Sequence, residues 1–282
     1  PDRILGTPIS ENAFAGLAGG MAVDGRYRPV VEFMYADFMW VAADQLFNQI
    51  AKARHMYGGT GAVPLVLRSK VAMGTGYGSQ HSMDPAGVFA TSPGWRVVAP
   101  STPYDYVGLM NTALRCEDPV VVLEHVDLYT STGPGPVDDL DYCLPVGRAA
   151  VRREGSDVTV LTYLAMTDYV LQAVEEYAAV DAEVIDLRWL DRASIDWETI
   201  ETSLAKTGQV LIAEQGAVGT SYGGWLADEI HRRFFDLLDA PVRRVTGSEA
   251  SPSISKVLER AAIAQDVEVA HTLREMLEVT HG

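Results

Sequence analysis

The chain has 282 residues, 48% of them hydrophobic, enough for two compact domains with apolar cores. Its formal net charge is −16, and no basic run or stripe offsets the acid, which excludes binding to nucleic acid or an anionic membrane through bulk charge. An acidic surface of this kind suits water or a basic protein partner.

The stretch Thr7-Pro8-Ile9-Ser10-Glu11 sets a proline turn, a capping serine and a carboxylate before a run of small residues, Ala13 to Met21. Pro8 keeps Thr7 out of helical space, the Ser10 hydroxyl is expected to cap the helix, and Glu11 falls in its first turn, where the dipole favours negative charge. Gly16, Gly19 and Gly20 weaken this helix, so something approaches its backbone closely, either a neighbouring helix or a ligand. Asp24-Gly25 closes it as a turn. Arg28–Phe33 reads as a short strand, and Glu32 within it is expected to be buried and paired, with Arg68 as the nearest candidate. The aromatics Phe33, Tyr35, Phe38 and Trp40 read first as core, with Phe38 the one best placed to stack on a flat heterocycle. One long helix is expected through Ala42, Leu46, Ile50 and Ala53, ending near Gly58-Gly59.

Val63–Arg68 reads as a buried strand. The loop Met73–Ser82 follows, with glycines at 74, 76 and 78. It matches neither a dinucleotide fingerprint nor a P-loop. His81 stands on it, just past a strand, where sheets of this kind bind ligands and where an imidazole can hold or move a proton. Val97–Pro100 is a strand, Ser101–Leu114 a helix, and Pro119–Leu123 the last strand of this half. Ser131–Pro136 with Asp138-Asp139 reads as a linker. Beyond it, strands at 158–162, 183–187, 210–213 and 242–245 alternate with helices at 168–179, 197–205, 222–235 and 254–277. That rhythm calls for a parallel sheet covered on both faces.

Other polar residues read as structural. Asp44 and Asn48 lie one turn apart and suit a polar interface, His55 sits near a helix end, and His231 and His271 read as helix-surface residues. No His, Cys and carboxylate cluster has metal-ligand spacing, and no Gly-x-Ser-x-Gly elbow occurs. Cys116 and Cys143 read as reduced thiols of a cytoplasmic protein. No signal peptide and no bilayer-length apolar stretch is evident. The chain enters its first helix almost at once, so Pro1 reads as an internal start, from a processed or split subunit.

Several of these stretches occur together in one order: Thr7–Glu11, Glu32-Phe33 with Asp37-Phe38, Asp44-Gln45, Gln80-His81-Ser82, Pro119–Glu124, Glu183–Arg188, Lys206-Thr207-Gly208, Glu214 with Gly223-Gly224, and Val245-Thr246-Gly247. The set resembles the β subunit, or β half, of the thiamine-diphosphate-dependent 2-oxo acid dehydrogenase decarboxylase component, as in the pyruvate, branched-chain and acetoin enzymes. The resemblance covers nearly the whole chain. It implies two parallel-sheet α/β domains, a transketolase-like pyrimidine-binding domain at 1–130 and a transketolase C-terminal domain at 148–282, joined by a linker at 131–147. It implies that a strand and helix normally preceding Pro1 are missing.

By the same resemblance, Glu11 is the carboxylate that hydrogen-bonds N1′ of the cofactor's aminopyrimidine. It is then expected at a subunit interface, poorly solvated and with a raised pKa. Phe38 matches the stacking aromatic and His81 the active-site histidine, with Tyr35 and Gln80 beside the cofactor. A potassium site is implied at positions matching Leu65, Ala113, Cys116 and Asp118, although relatives often have aspartate where Cys116 stands. The Gly-Asp-Gly…Asn segment that holds the diphosphate through Mg²⁺ is not found, which implies an α partner carrying it and an α₂β₂ assembly. Docking of a lipoyl acyltransferase is a further implication, but apart from Pro252 residues 248–256 and 261–265 lack prolines that relatives often carry there. Two other functions stay open: a thiamine-diphosphate acyloin or carboligation enzyme without a lipoyl partner, and a non-catalytic β-like scaffold.

Overall fold

A computed structural model describes residues 2–177, 180–219 and 221–280. Helix α1 (Glu11–Val23) begins at Ser10, but the Ser10 hydroxyl makes no capping bond. With φ −159° and ψ 75° its backbone lies outside the extended geometry that aims a capping side chain. The Ser10 carbonyl instead accepts from Ala13 N and Phe14 N, at 3.0 and 3.1 Å. The glycines of α1 have an explanation within the chain. A Cβ on Gly16 would meet Gln45 Oε1 at 2.9 Å, and one on Gly19 would meet Ile50 Cγ1 at 2.8 Å. They allow α1 to press onto the turn of helix at Asp44–Ile50. Gly20 faces open space.

The single long helix expected beyond Ala42 is broken. A 3₁₀ stretch, Ala36–Ala42, passes into a widened π-type stretch, Asp44–Ile50, and then the short α2 (Ala53–Met56). Leu46 O accepts both Ala51 N at 3.1 Å and the indole Nε1 of Trp95 at 2.9 Å. A side chain donating into the helical ladder is a recognised cause of such widening.

The first sheet has β1 (Val30–Phe33), β2 (Val66–Val71), β3 (Arg96–Val98) and β4 (Val120–His125) in the order β1-β2-β4-β3, all parallel. β4 is buried along its whole length. β1 is an edge strand, so Glu32 faces solvent rather than the core, contrary to expectation. Its expected partner is present: Arg68 Nη1 donates to Glu32 Oε2 at 3.3 Å. Helices α3 (Ala86–Thr91) and α4 (Pro103–Arg115) complete this half, and α4 starts where Thr102 Oγ1 accepts Asp105 N. The segment after Ser131 lies along α4: Asn111 Nδ2 donates to Leu140 O and Tyr142 O, and Tyr142 stacks on Tyr104 at 4.8 Å.

The second sheet runs β5 (Ala150–Arg153), β7 (Ala182–Asp186), β6 (Val158–Thr162), β8 (Val210–Ala217) and β9 (Arg243–Gly247). It is parallel except for β5, which pairs antiparallel with β7 and has no counterpart among the expected strands. Helices α5 (Met166–Gln172), α6 (Trp197–Thr207) and α7 (Tyr222–Phe234) cover it. The helix expected over 168–179 becomes α5 followed by a π-type turn, Ala173–Tyr177; 178 and 179 lie outside the described residues. The helix expected over 254–277 is two, α8 (Lys256–Arg260) and α9 (Asp266–Thr280).

The halves are joined at the free edge of β3. Ala99 N donates to Arg188 O and Leu190 N to Val97 O, both at 2.9 Å. Arg188 holds a left-handed φ of 59°, which an L side chain resists. Its guanidinium donates to Asp105 Oδ1 at 2.5 Å and its N–H to Asp186 Oδ1 at 3.2 Å. Arg152 also bonds both Asp105 and Asp186.

Candidate functional site

Parallel strands present ligand sites beyond their carboxyl ends. Here the loops after β1, β2 and β8 meet in a cleft of about 600 Å³. Asp37, Phe38, Gln80 and Asp84 line it from the first half, with Gln215 and Gly216 from the second.

His81 stands on the loop after β2, half-buried, between Gln80 and Ser82, which line the cleft. Its ring lies edge-on to Tyr35, with centroids 4.5 Å apart, and edge-on to Phe38 at 5.3 Å. Tyr77 is 6.1 Å away, and Lys70 Nζ lies 4.6 Å above the Tyr35 ring. Asp37 fastens the two loops together by accepting Met83 N at 3.2 Å, and burial pushes its carboxyl up from the ordinary range. The aromatic set therefore divides. Phe33 is core, as expected; Tyr35 and Phe38 are half-buried beside His81; Trp40 is exposed, its indole donating to Met83 Sδ at 3.0 Å. Gln80 is exposed on the cleft rim.

Glu11 stands at the start of α1, half-buried, and its carboxylate has no hydrogen-bond or ion-pair partner among the described residues. No such bond joins it to His81, Tyr35, Phe38 or Gln80. One turn on, Phe14 packs on Phe33 at 5.1 Å, which fixes α1 to the end of β1. An unpartnered carboxylate and half-buried rings suit one end of an aminopyrimidine. Among the described residues no group of three or more His, Cys, Asp or Glu could hold a metal ion.

Beneath the cleft lies a buried set that sequence reasoning did not assign to the site. The Tyr163 hydroxyl donates to Asp84 Oδ2 at 2.8 Å and to Glu214 Oε2 at 3.4 Å. Glu214 also accepts Gly223 N, and Arg244 lies 3.4 Å from it. Burial raises the carboxyl pKa of Asp84 and of Glu214, and holds the Tyr163 phenol well above its ordinary value. The one signal available was an acid, Glu214, inside an apolar strand. His125, at the end of β4, was also missed; burial lowers its pKa.

At the positions expected to hold potassium, the oxygens already have partners within the chain. The carbonyl of Leu65 accepts Val120 N, that of Ala113 accepts Cys116 N, and that of Cys116 accepts Arg28 Nη1 at 2.7 Å. The Asp118 carboxylate is shared by Arg54 and Arg96, at 2.9 and 3.0 Å. A monovalent cation there would face three guanidinium groups of like charge.

The remaining candidates are peripheral. Asn48 bridges Asp44 and Lys52 at the surface. His55 is exposed in the last turn of α2, His231 bonds Ala227 O, and His271 pairs with Glu275. Cys116 and Cys143 are free thiols, and burial raises the Cys116 pKa. No helix among the described residues is long and apolar enough to cross a membrane.

Residues 1–132 match the transketolase pyrimidine-binding domain and residues 147–269 the transketolase C-terminal domain. The chain is 36% identical to the acetoin:2,6-dichlorophenolindophenol oxidoreductase subunit beta of Cupriavidus necator, over 98% of this chain and 81% of that one. It is 38% identical to the mitochondrial pyruvate dehydrogenase E1 component subunit beta-1 of Oryza sativa subsp. japonica, over 94% and 71%. The chain belongs to the E1 β-subunit family of the pyruvate and acetoin dehydrogenases. The pyruvate dehydrogenase E1 component subunit beta of Staphylococcus aureus strain Mu50, 37% identical over 88% and 76%, lies in the same family. The two-sheet fold extends beyond these E1 β relatives. A split-gene transketolase, described as an inactive beta4 tetramer, superposes with a TM-score of 0.77 over 99% of this chain and 85% of its own, at 22% identity.

Proposed function

We propose that this E1 β chain is the β subunit of a thiamine-diphosphate-dependent 2-oxo acid dehydrogenase. In this reading it supplies Glu11, Phe38 and His81 to a site completed by an α partner, which holds the diphosphate through Mg²⁺. The observation that carries it is the meeting of the His81, Tyr35 and Phe38 rings on loops whose residues Asp37, Phe38, Gln80 and Ser82 line the interdomain cleft. Bound there, the cofactor would supply the electron sink for loss of CO₂ from a 2-oxo acid. Glu11 would hold a proton at N1′ of the aminopyrimidine, and its lack of a hydrogen-bond or ion-pair partner among the described residues supports that role. Phe38 and Tyr35 would offer ring surface, with Gln80 on the rim. His81 would hold or move a proton at the substrate. A potassium ion near Leu65, Ala113, Cys116 and Asp118 would have to share those oxygens with the hydrogen bonds and ion pairs they already make.

The domains divide in this reading at 1–130, a linker at 131–147 and 148–282, in a cytoplasmic α₂β₂ assembly that passes its acyl group to a lipoyl acyltransferase. The acetoin relative favours a second substrate class, a hydroxyketone in place of a 2-oxo acid. The test is co-purification with the α partner, followed by assays of the complex with pyruvate, branched-chain 2-oxo acids and acetoin. Acyl transfer to a lipoyl domain supports the dehydrogenase. Carbon–carbon bond formation alone would replace it with a carboligase, and failure to bind the cofactor would leave a scaffold.

A further inference from the structure

The loop that carries His81 is pinned from the other half of the chain. Glu259, in α8, is fully buried. Its Oε1 accepts Gly74 N at 3.0 Å and shares the Ser82 hydroxyl, at 3.2 Å, with Gly78 O, at 2.9 Å, and its Oε2 accepts Gly76 N at 2.5 Å. All three donors belong to the loop. Nearby, the Ser79 hydroxyl donates to Pro252 O at 3.0 Å, from the same C-terminal segment.

The glycines explain how the loop accommodates this. Gly74, Gly76 and Gly78 have φ of 84°, 83° and 82°. Left-handed residues of this kind turn successive N–H groups toward one side and form a nest for an anion. In this chain the nest is filled by the protein's own carboxylate. Gly76 leaves no room for a side chain, since a Cβ there would meet Lys256 Cγ at 2.7 Å and Ile254 O at 3.3 Å. A carboxylate taken out of water is tolerated only when its oxygens are satisfied. Glu259 and the loop therefore need each other.

We propose that Glu259 is a positioning residue. Its carboxylate fills the glycine nest and sets the loop 74–82, so that His81 stands against Tyr35 and Phe38 beside the cleft. The consequence is that the C-terminal domain sets the register of a loop of the pyrimidine-binding domain. The link to turnover rests on the role given to His81 above; the clamp itself does not.

The test uses Glu259→Leu, which keeps bulk and removes both acceptors, and Glu259→Gln, which keeps one. Both are made in the full chain, co-expressed with its α partner, in wild-type and His81→Ala backgrounds. Amide exchange at residues 73–83 is expected to quicken about tenfold or more in Glu259→Leu, and less in Glu259→Gln, while β2 and β6 stay protected. Turnover is expected to fall about tenfold to a hundredfold in Glu259→Leu, with partial rescue in Glu259→Gln. In the His81→Ala background the same substitution should cost about twofold or less, because its effect runs through His81. Unchanged loop exchange overturns the clamp, and an equal loss in both backgrounds overturns the link to His81. If His81→Ala turns over like the wild type, the role of His81 falls, and the exchange measurement still decides the clamp. If Glu259→Leu does not fold, Glu259→Gln carries the same comparisons.

Discussion

The imidazole of His81 stands edge-on to the ring of Tyr35, centroids 4.5 Å apart and planes crossing at 78°. The two residues come from loops after neighbouring parallel strands, β1 and β2, and the imidazole stands between Gln80 and Ser82, which line the cleft. A group that handles a proton in the transition state is worth about 10²–10⁴ in rate. Turnover of His81→Ala in the reconstituted complex is therefore expected to drop by that order. The melting temperature should move little, because His81 is only half-buried. Wild-type turnover would remove His81 from the chemistry.

Ala86 N, at 2.9 Å, and the Tyr163 hydroxyl, at 2.8 Å, are the donors that favour the ionised form of the Asp84 carboxylate. Tyr163→Phe removes the second and is expected to cost about 1–3 kcal/mol of stability. The cost should depend on pH. Burial raises the folded pKa of Asp84, so this group favours folding below its unfolded pKa and loses that contribution as pH rises through the folded value. The lost hydrogen bond stabilised the ionised form. Urea unfolding of variant and wild type should therefore differ more at pH 8 than at pH 5. A difference that shrinks with pH would contradict this arrangement.

Asp105 is the hinge of a buried ionic cluster between the halves, bonded to Arg152 and to Arg188. Asp105→Ala leaves both guanidinium groups short of a partner and should cost about 3–5 kcal/mol. It also releases the left-handed Arg188, whose carbonyl pairs with the edge of β3. Denaturant unfolding checks the first effect. Amide exchange at Ala99 and Leu190 checks the second and should quicken ahead of the strand cores.

Much of this architecture was legible because its strands are short apolar runs spaced by helical patterns, as in β4 and β6. β5 was not, because Ala150–Arg153 is short and ends in two arginines, and only its pairing with β7 makes it a strand. Glu32 was misjudged because its exposure depends on β1 lying at the sheet edge, which no local pattern states. The break in the helix after Ala42 depends on Trp95, about fifty residues away in sequence. At the proposed site, Glu11, Phe38 and His81 were assigned by resemblance to a family, with the glycine loop as supporting signal. Asp84, Tyr163, Glu214 and Glu259 were not assigned, because tertiary closure brings them together across separations with no spacing rule.

Glu11→Gln tests the account at its centre. Glu11 is half-buried and unpartnered among the described residues, so the fold should hold to within about 0.5 kcal/mol. The measurement is turnover of a 2-oxo acid by the variant β chain in complex with its α partner, at saturating thiamine diphosphate and Mg²⁺. The expected result is a fall of about a hundredfold or more with the melting temperature unchanged. Turnover near the wild-type rate, with the cofactor bound, would contradict the assignment of Glu11 and with it the half-site reading of this chain.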